Sequence, residues 1–403
     1  MALMGEWANR GWEQLLQQAK RLQAKYYSKE SSSLESYTPP LAFPSNGSIR
    51  DLLVFKPDEI GDAIQALPAL RHLRENFPNS RIHMICQKPA SEIYRRSGVV
   101  DEIAASSVKK IQLRFPRLDL RDALDQLKVS RFDASVFLRT YPSYFSQFLK
   151  IPATFQVHPR DPRMPSRSLY QAKVGIWKSP RDHQSKQMME IVSYMTGKTP
   201  ENFEYGSFHW DSQDKEALED LGQRLTKQKY FVVHPFARIE TRAYPSWNEL
   251  IEKVQKQFSL PVVIIGGQED ETLQNDKVIQ LQGKLTLGQS AYLISQSAGF
   301  LGNESGPAHW AAAMGVPTVT VFGGHSHPNE WRPVGAKTHL VHESVACGPC
   351  HRHYCPGLGR ICLTGLSPDK IWPEMQRFLL ANQVRSCRGP SGEIRESEVR
   401  PSL

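Results

Sequence analysis

The strongest constraint on this chain is an alternation that occurs twice along it. Short apolar runs of strand length end in glycine- or proline-containing loops and lead into stretches of helical periodicity. Leu52-Leu53-Val54-Phe55 opens the first series. After a turn, Ala63, Ala66, Leu67, Leu70, Leu73 and Phe77 recur at helical spacing. Pro78-Asn79 stops that helix, and Ile82-His83-Met84-Ile85-Cys86 supplies the next strand. A strand, a helix and a second strand in this order make a βαβ unit, which demands a parallel sheet with helices on its faces. A further strand is expected at Ala134-Ser135-Val136-Phe137-Leu138, and a helix from His183 to Met195 closes the series. A second series starts after the loop from Gly197 to Trp210, with strands at Tyr230-Phe231-Val232-Val233, Val262-Val263-Ile264-Ile265 and Thr318-Val319-Thr320-Val321-Phe322. These end in His234-Pro235, Gly266-Gly267 and Gly323-Gly324. In open α/β sheets ligands bind at such carboxyl ends of strands.

At 403 residues the chain is long enough for two such domains. The expected organisation is a helical extension and linker over 1–48, a first α/β domain over 49–200, a second over 205–384, and a polar tail over 385–403 expected to be disordered. In the extension, Trp7, Gly11, Leu15, Leu22 and Tyr26 lie near helical spacing beside Lys20, Arg21 and Lys25, a stripe suited to a membrane surface, a partner or the protein's own body. Ser31-Ser32-Ser33, Pro39-Pro40 and Pro44 read as the linker. No apolar run is long enough to span a bilayer and no secretory signal core follows the N-terminus, so the expected location is the cytosol. The net charge of +9 suits an anionic partner: nucleic acid, a phospholipid face or a phosphorylated glycolipid. The basic residues are not interleaved with any zinc-finger or RRM-like signature, which argues against nucleic acid.

The segment from Gly302 to Pro317 carries the sharpest chemical signal. A strand runs into Asn303-Glu304-Ser305-Gly306-Pro307 and then into the helix Ala308-His309-Trp310-Ala311-Ala312-Ala313. Ser305 can cap that helix, Pro307 fits its first turn and Gly315 can end it. Backbone N–H groups and the positive end of the helix dipole then face the crevice, which makes a pyrophosphate site. A plain strand–loop–helix connection is the competing reading.

This stretch resembles the G-(D/N)-(S/T)-G-P-x-H-x-A-A-A-x-G-x-P signature of the ADP-heptose:lipopolysaccharide heptosyltransferase family. Ile60-Gly61-Asp62 with Pro68-Ala69-Leu70 resembles that family's I-G-D-x-x-x-x-x-P-A-L motif. His234-Pro235 followed by Arg242, Tyr244 and Pro245 is similar to its H-P … K-x-W-P segment, and Gly266-Gly267-Gln268-Glu269 to its G-G-x-E turn. The motifs occur in the family's order over about residues 50 to 375. The resemblance implies a GT-B fold, two Rossmann-like domains facing each other across a cleft. It further implies an inverting glycosyltransferase that needs no catalytic metal and moves heptose from ADP-heptose to the inner core of a lipopolysaccharide. Such an enzyme would work as a cytoplasmic protein in peripheral contact with the inner membrane.

By the same resemblance Asp62, beside Gly61, is the general base that takes the acceptor's proton. Asp62 with Gln65 three residues on also reads as a capping box. Ser305, Gly306 and His309 fall at the donor's phosphates and ribose, with Glu304 in the same loop. Arg242 opposes the diphosphate charge, Glu269 accepts from the nucleoside, and Lys56 serves acceptor or donor phosphates. Glu304, Phe236-Ala237 and Tyr244 depart from the family pattern, which leaves room for another nucleotide-sugar or for a protein or glycan acceptor. A non-catalytic nucleotide-sugar-binding protein is the alternative from another class, and the presence of Asp62 argues against it.

Six cysteines are unevenly placed, with Cys347, Cys350, Cys355 and Cys362 close together and Cys86 and Cys387 apart. The cluster has the spacing of a structural zinc or iron site, with His351 and His353 as alternative ligands. Structural thiols without metal are the other reading.

Overall fold

The computed structural model of the protein describes residues 43–44, 46–109, 117–138, 142–160, 173–177, 182–200, 202–219, 225, 229–268, 270, 273, 275–382 and 384. The Trp7–Tyr26 stripe, the linker serines, Glu269 and the 385–403 tail lie outside the described residues.

The chain from Phe43 onward builds two parallel sheets. The first comes from β1 (Asp51–Lys56), α1 (Ile60–Asn76), β2 (Arg81–Gln87), α2 (Lys88–Ser97) and β3 (Glu102–Ser106). A short antiparallel ladder, β4 (Val108–Lys109) with β5 (Arg117–Leu118), interrupts the alternation. It resumes with α3 (Leu120–Leu127), β6 (Phe132–Phe137), α4 (Pro142–Phe148), β7 (Ala153–Arg160), β8 (Lys173–Trp177) and α5 (Gln184–Thr196). Helix α6 (Ser212–Glu219) precedes the second sheet. That sheet is made by β9 (Phe231–His234), α7 (Trp247–Phe258), β10 (Val262–Ile264), β11 (Ile279–Gln280), α8 (Leu287–Ser295), β12 (Gly299–Asn303), α9 (Gly306–Ala313), β13 (Thr318–Phe322), α10 (Pro328–Trp331) and β14 (Thr338–His342). Helices α11 (Ile361–Thr364) and α12 (Pro368–Ala381) follow.

The strand orders are β3-β2-β1-β6-β7-β8 and β11-β10-β9-β12-β13-β14. Both have the doubly wound order, with a reversal between β1 and β6 in one sheet and between β9 and β12 in the other. The two crevices at those reversals are where such sheets bind ligands. In the first sheet Leu52 lies opposite both Ile82 and Ala134. Alternate residues of β1 enter different cores: Leu52 and Val54 pack with α1, α2 and α5, while Leu53 and Phe55 pack with Phe132, Phe137 and Phe148. Burial on both faces explains why β1 reads as an unbroken apolar run rather than an alternating one.

The helix ends follow local chemistry. The Phe77 N–H closes α1 onto the Leu73 carbonyl, and Pro78 follows it. Gly98 and Gly197 end α2 and α5 in the left-handed region that glycine adopts without steric cost. Thr286 and Gln289 form a reciprocal capping box on α8. No helix among the described residues is long and apolar enough to cross a membrane.

The two sheets share an apolar seam. Ala291 of α8 and Trp310 of α9 are buried in the same cluster as α1, α2 and α5. Phe208 and Trp210, in the connecting segment, stack at 6.2 Å, and Trp210 meets Tyr292 edge-on at 5.6 Å. Arg96 of α2 forms a two-pronged ion pair with Asp214 of α6, and the side chains are 8% and 2% exposed. Removing the arginine strands a buried carboxylate, a change that costs roughly 3–5 kcal/mol. Arg96→Ala is therefore expected to lower the urea midpoint of unfolding by an amount equivalent to that loss. An unchanged midpoint would show that Asp214 is solvated by other means.

Candidate active site

The crevice of the second sheet is assembled by the loops after β9, β12 and β13. Asn303, at the end of β12, is fully buried and acts as a hub. Its Oδ1 accepts from the Tyr244 backbone N–H at 3.1 Å and from Trp247 Nε1 at 3.3 Å, and its Nδ2 donates to the Pro235 carbonyl at 2.7 Å. One side chain thus ties the loop after β12 to the loop after β9. Tyr244 is also buried, donates its hydroxyl to the Leu366 carbonyl at 2.6 Å and packs edge-on to Trp247. The phenol at this position is therefore part of the core that supports the loop. Burial pushes its pKa up to about 12.

The 3-10 turn Glu240–Arg242 puts the Arg242 guanidinium at the crevice. Its Nη2 donates to Ser326 Oγ at 3.1 Å and lies 3.3 Å from Glu304 Oε1. Glu304 is buried, and desolvation holds its carboxyl above the usual range against the opposing pull of Arg242 and Ser326. Three buried polar atoms here have no partner: Arg242 Nε, Glu304 Oε2 and Ser305 Oγ. Ser305 occupies the N-cap position of α9 in extended conformation, yet its hydroxyl makes no capping bond. The capping expectation for Ser305 is corrected by this geometry: the hydroxyl is withheld from the helix. Unpaired buried polar atoms are costly, so a cluster of them marks a place built for a polar ligand.

Two helix N-termini meet at the seam beside this loop. A Cβ placed on Gly306 would lie 2.8 Å from Ile60 Cγ2, and one on Gly61 would lie 3.1 Å from His309 Cδ2. A side chain at either position would crowd the facing residue, so the glycines allow this close approach at the first turns of α1 and α9. His309 is buried, with Nδ1 at 3.4 Å from Gln65 Nε2 across the seam. Asp62 lies half-buried in the first turn of α1. The capping-box reading of Asp62 and Gln65 is overturned: the N-cap is Glu59, and Gln65 is turned towards His309. Helix α1 starts earlier than the apolar periodicity indicates, which makes Asp62 an in-helix residue.

Lys56 ends β1 fully buried and ion-paired with Asp58, so its charge lies under the turn that leads to Asp62. The loop after β10 is tightened by Asp270, whose Oδ2 accepts from the Gly267 N–H at 2.6 Å. Gly266 leaves room for the Phe236 ring, which would lie 2.8 Å from a Cβ there.

Two crevice residues escape the sequence reading, His325 and Ser326. Both are buried in the loop after β13. The signal available for them is the Gly323-Gly324 strand ending, which marks the loop but not the side chains that follow.

The metal-ligand expectation for Cys347, Cys350, Cys355 and Cys362 is not met. The four lie in one region, but among the described residues no three His, Cys, Asp or Glu side chains are arranged to hold a metal ion. Cys362 is buried in the second core with Leu363, and its Sγ would lie 3.4 Å from a Cβ on Gly324. Burial raises its thiol pKa, and the neighbouring Cys347, Cys350 and Cys355 sulfurs add to that.

Burial lowers the His309 pKa to about 3 and that of His234 to about 4. These rings are neutral in the folded protein and titrate near 6.5 when unfolded. The unfolded state therefore binds protons that the folded state refuses. Stability is intact above about pH 6.5 and falls as pH drops below it, at up to about 1.4 kcal/mol per pH unit for each such ring. His309→Gln removes one of them, so its urea midpoint should fall less than wild type's between pH 7 and pH 4.5. Parallel falls in the two proteins would contradict this assignment.

A family model described as glycosyltransferase family 9 (heptosyltransferase) matches residues 169–359. Lipooligosaccharide heptosyltransferase 2 of Campylobacter jejuni is 21% identical over 356 residues, 81% of this chain and 98% of that protein. Lipopolysaccharide heptosyltransferase 3 of Escherichia coli is 22% identical over 296 residues, 68% of this chain and 82% of that protein. The structure of E. coli ADP-heptose LPS heptosyltransferase II superposes with a TM-score of 0.63 at 19% identity, covering 83% of this chain and 99% of that one.

Proposed function

We propose that this chain is a member of glycosyltransferase family 9, the heptosyltransferases, and that it moves heptose from ADP-heptose to the inner core of a lipopolysaccharide. It is a glycosyltransferase with the GT-B fold. The observation that carries the donor site is the cluster of unpartnered Arg242 Nε, Glu304 Oε2 and Ser305 Oγ beside the N-terminus of α9. A nucleoside diphosphate satisfies such a cluster: its phosphate oxygens accept from the guanidinium, the serine hydroxyl and first-turn N–H groups, and a sugar hydroxyl donates to the Glu304 carboxylate. The names of the relatives support heptose, and the net charge of +9 suits a phosphorylated glycolipid at the cytoplasmic face of the inner membrane.

In this reading Asp62 takes the proton from the acceptor hydroxyl as that oxygen bonds to the anomeric carbon from the face opposite the diphosphate. The bond from the anomeric carbon to the phosphate oxygen breaks, its electron pair leaves with the nucleoside diphosphate, and the configuration inverts. Arg242, Ser305 and the α9 dipole stabilise the negative charge that develops on the leaving group. Gly61 and Gly306 let the Asp62 helix approach the donor loop closely enough for one sugar to meet both. Lys56 contributes from beneath the turn, and Glu269 takes the nucleoside. Phe236, packed on Gly266 where the family often has small residues near the phosphates, favours a second reading with the same fold and a different nucleotide-sugar.

Thermal-shift titration with ADP, UDP, GDP and CDP distinguishes these readings, because a ligand that binds only the folded state raises the midpoint. ADP alone should shift wild type, and Arg242→Ala should weaken that shift. A response to UDP or GDP alone would overturn the donor, and no response to any nucleotide would remove the transferase reading of this crevice. Asp62→Asn should keep ADP binding and lose transfer by about 100-fold or more, within the range removed with a general base. Retained transfer would assign the base elsewhere.

A further inference from the structure

The cysteine-rich segment, residues 345–360, has no part in the chemistry above, yet it is fastened to the donor crevice at several points. Cys350 N–H donates to the Gly324 carbonyl at 2.8 Å and His351 N–H to the His325 carbonyl at 2.9 Å. These two bonds join it to the loop that carries Ser326. The Thr241 hydroxyl donates to the Arg352 carbonyl. His325 Nδ1 lies 3.0 Å from that carbonyl and 3.0 Å from Thr241 Oγ1. A carbonyl only accepts, so the His325 proton sits on Nδ1. On the other side of the turn, Arg360 donates to the Ala243 carbonyl at 3.0 Å and lies 3.5 Å from Glu240.

The packing is equally close. A Cβ on Gly323 would lie 2.6 Å from the Thr241 carbonyl oxygen, so the loop after β13 is pressed onto the Glu240–Arg242 turn. Thr241 itself is 3% exposed, while the adjacent Arg242 side chain is 27% exposed. Thr241 is placed to hold the backbone from which Arg242 reaches out.

The geometry points to Thr241 as the positioning residue of the diphosphate site, with the segment 345–360 as that site's third wall. The Thr241 hydroxyl fixes the turn to the Arg352 carbonyl, and the Gly324–His325 backbone fixes the same segment to the Ser326 loop. The segment thereby sets where the Arg242 guanidinium stands before a ligand arrives. A long arginine held in place loses less conformational freedom on binding, and the affinity for an anion rises accordingly. The inference rests on the reading of Arg242 as the diphosphate cation.

Inorganic pyrophosphate is the probe, since it reports the diphosphate site whatever the nucleoside. Its Kd is measured by calorimetry for the full chain as wild type, Thr241→Val, Thr241→Ala, Thr241→Ser and Arg242→Ala, with a melting curve for each. Valine keeps the shape and removes the donor, and alanine is the smaller fallback. Each should weaken pyrophosphate about five- to tenfold, the range of one lost buried hydrogen bond. Serine, which keeps the hydroxyl, should restore the affinity to within about twofold. If Arg242→Ala weakens binding while folded Thr241→Val or Thr241→Ala binds like wild type, the inference is wrong and the diphosphate reading stands. Failure of serine to restore affinity also overturns it, because the effect is then one of packing. Wild-type affinity in Arg242→Ala would overturn the diphosphate reading, and the inference with it.

Discussion

The architecture depends on two helix N-termini that meet at glycines. Gly61 opens α1 on the first sheet and Gly306 opens α9 on the second, each against the other's first turn. A methyl group at either position meets Ile60 or His309, so a larger residue would crowd this contact. Both helices point their positive dipole ends at the same place, an arrangement that is unfavourable until negative charge occupies it. Asp62 lies in the first turn of α1 and Glu304 just before α9, and the diphosphate reading adds negative charge at this point.

The seam is apolar on one side and polar on the other. Trp310, Ala291 and the Phe208–Trp210 pair continue the first core into the second sheet's helices. At the crevice the same seam exposes Arg238 and Glu59, which pair at 2.6 Å in solvent and add little stability. The stabilising contacts therefore lie behind the site. The crevice holds the unpartnered Arg242, Glu304 and Ser305 atoms.

Several functional groups are supported largely through backbone groups rather than through one another. Asn303 gathers two loops, Thr241 clamps the arginine turn and Tyr244 anchors on Leu366. Such supports fix where a side chain starts while leaving its tip free for chemistry. Few of them lie near their targets in sequence: Asn303 acts on residues 56 and 59 positions away, and Thr241 on one 111 positions away.

The sequence by itself determined the two α/β series, because strands buried on both faces must be unbroken apolar runs and helices on a sheet must repeat at 3.6 residues. Its motifs also placed Ser305, Gly306 and Arg242 at one crevice, since loops at strand ends carry their residues to one edge of the sheet. Tertiary structure alone decided the rest. It turned Gln65 to His309, a residue carried by the other sheet's helix, and left the Ser305 hydroxyl without a bond to its own helix. It sent Cys362 into a core beside Leu363, a placement that the spacing of the four cysteines does not encode. It also brought His325, Ser326 and the cysteine-rich segment to Arg242, contacts that no local pattern encodes because their partners lie far apart along the chain.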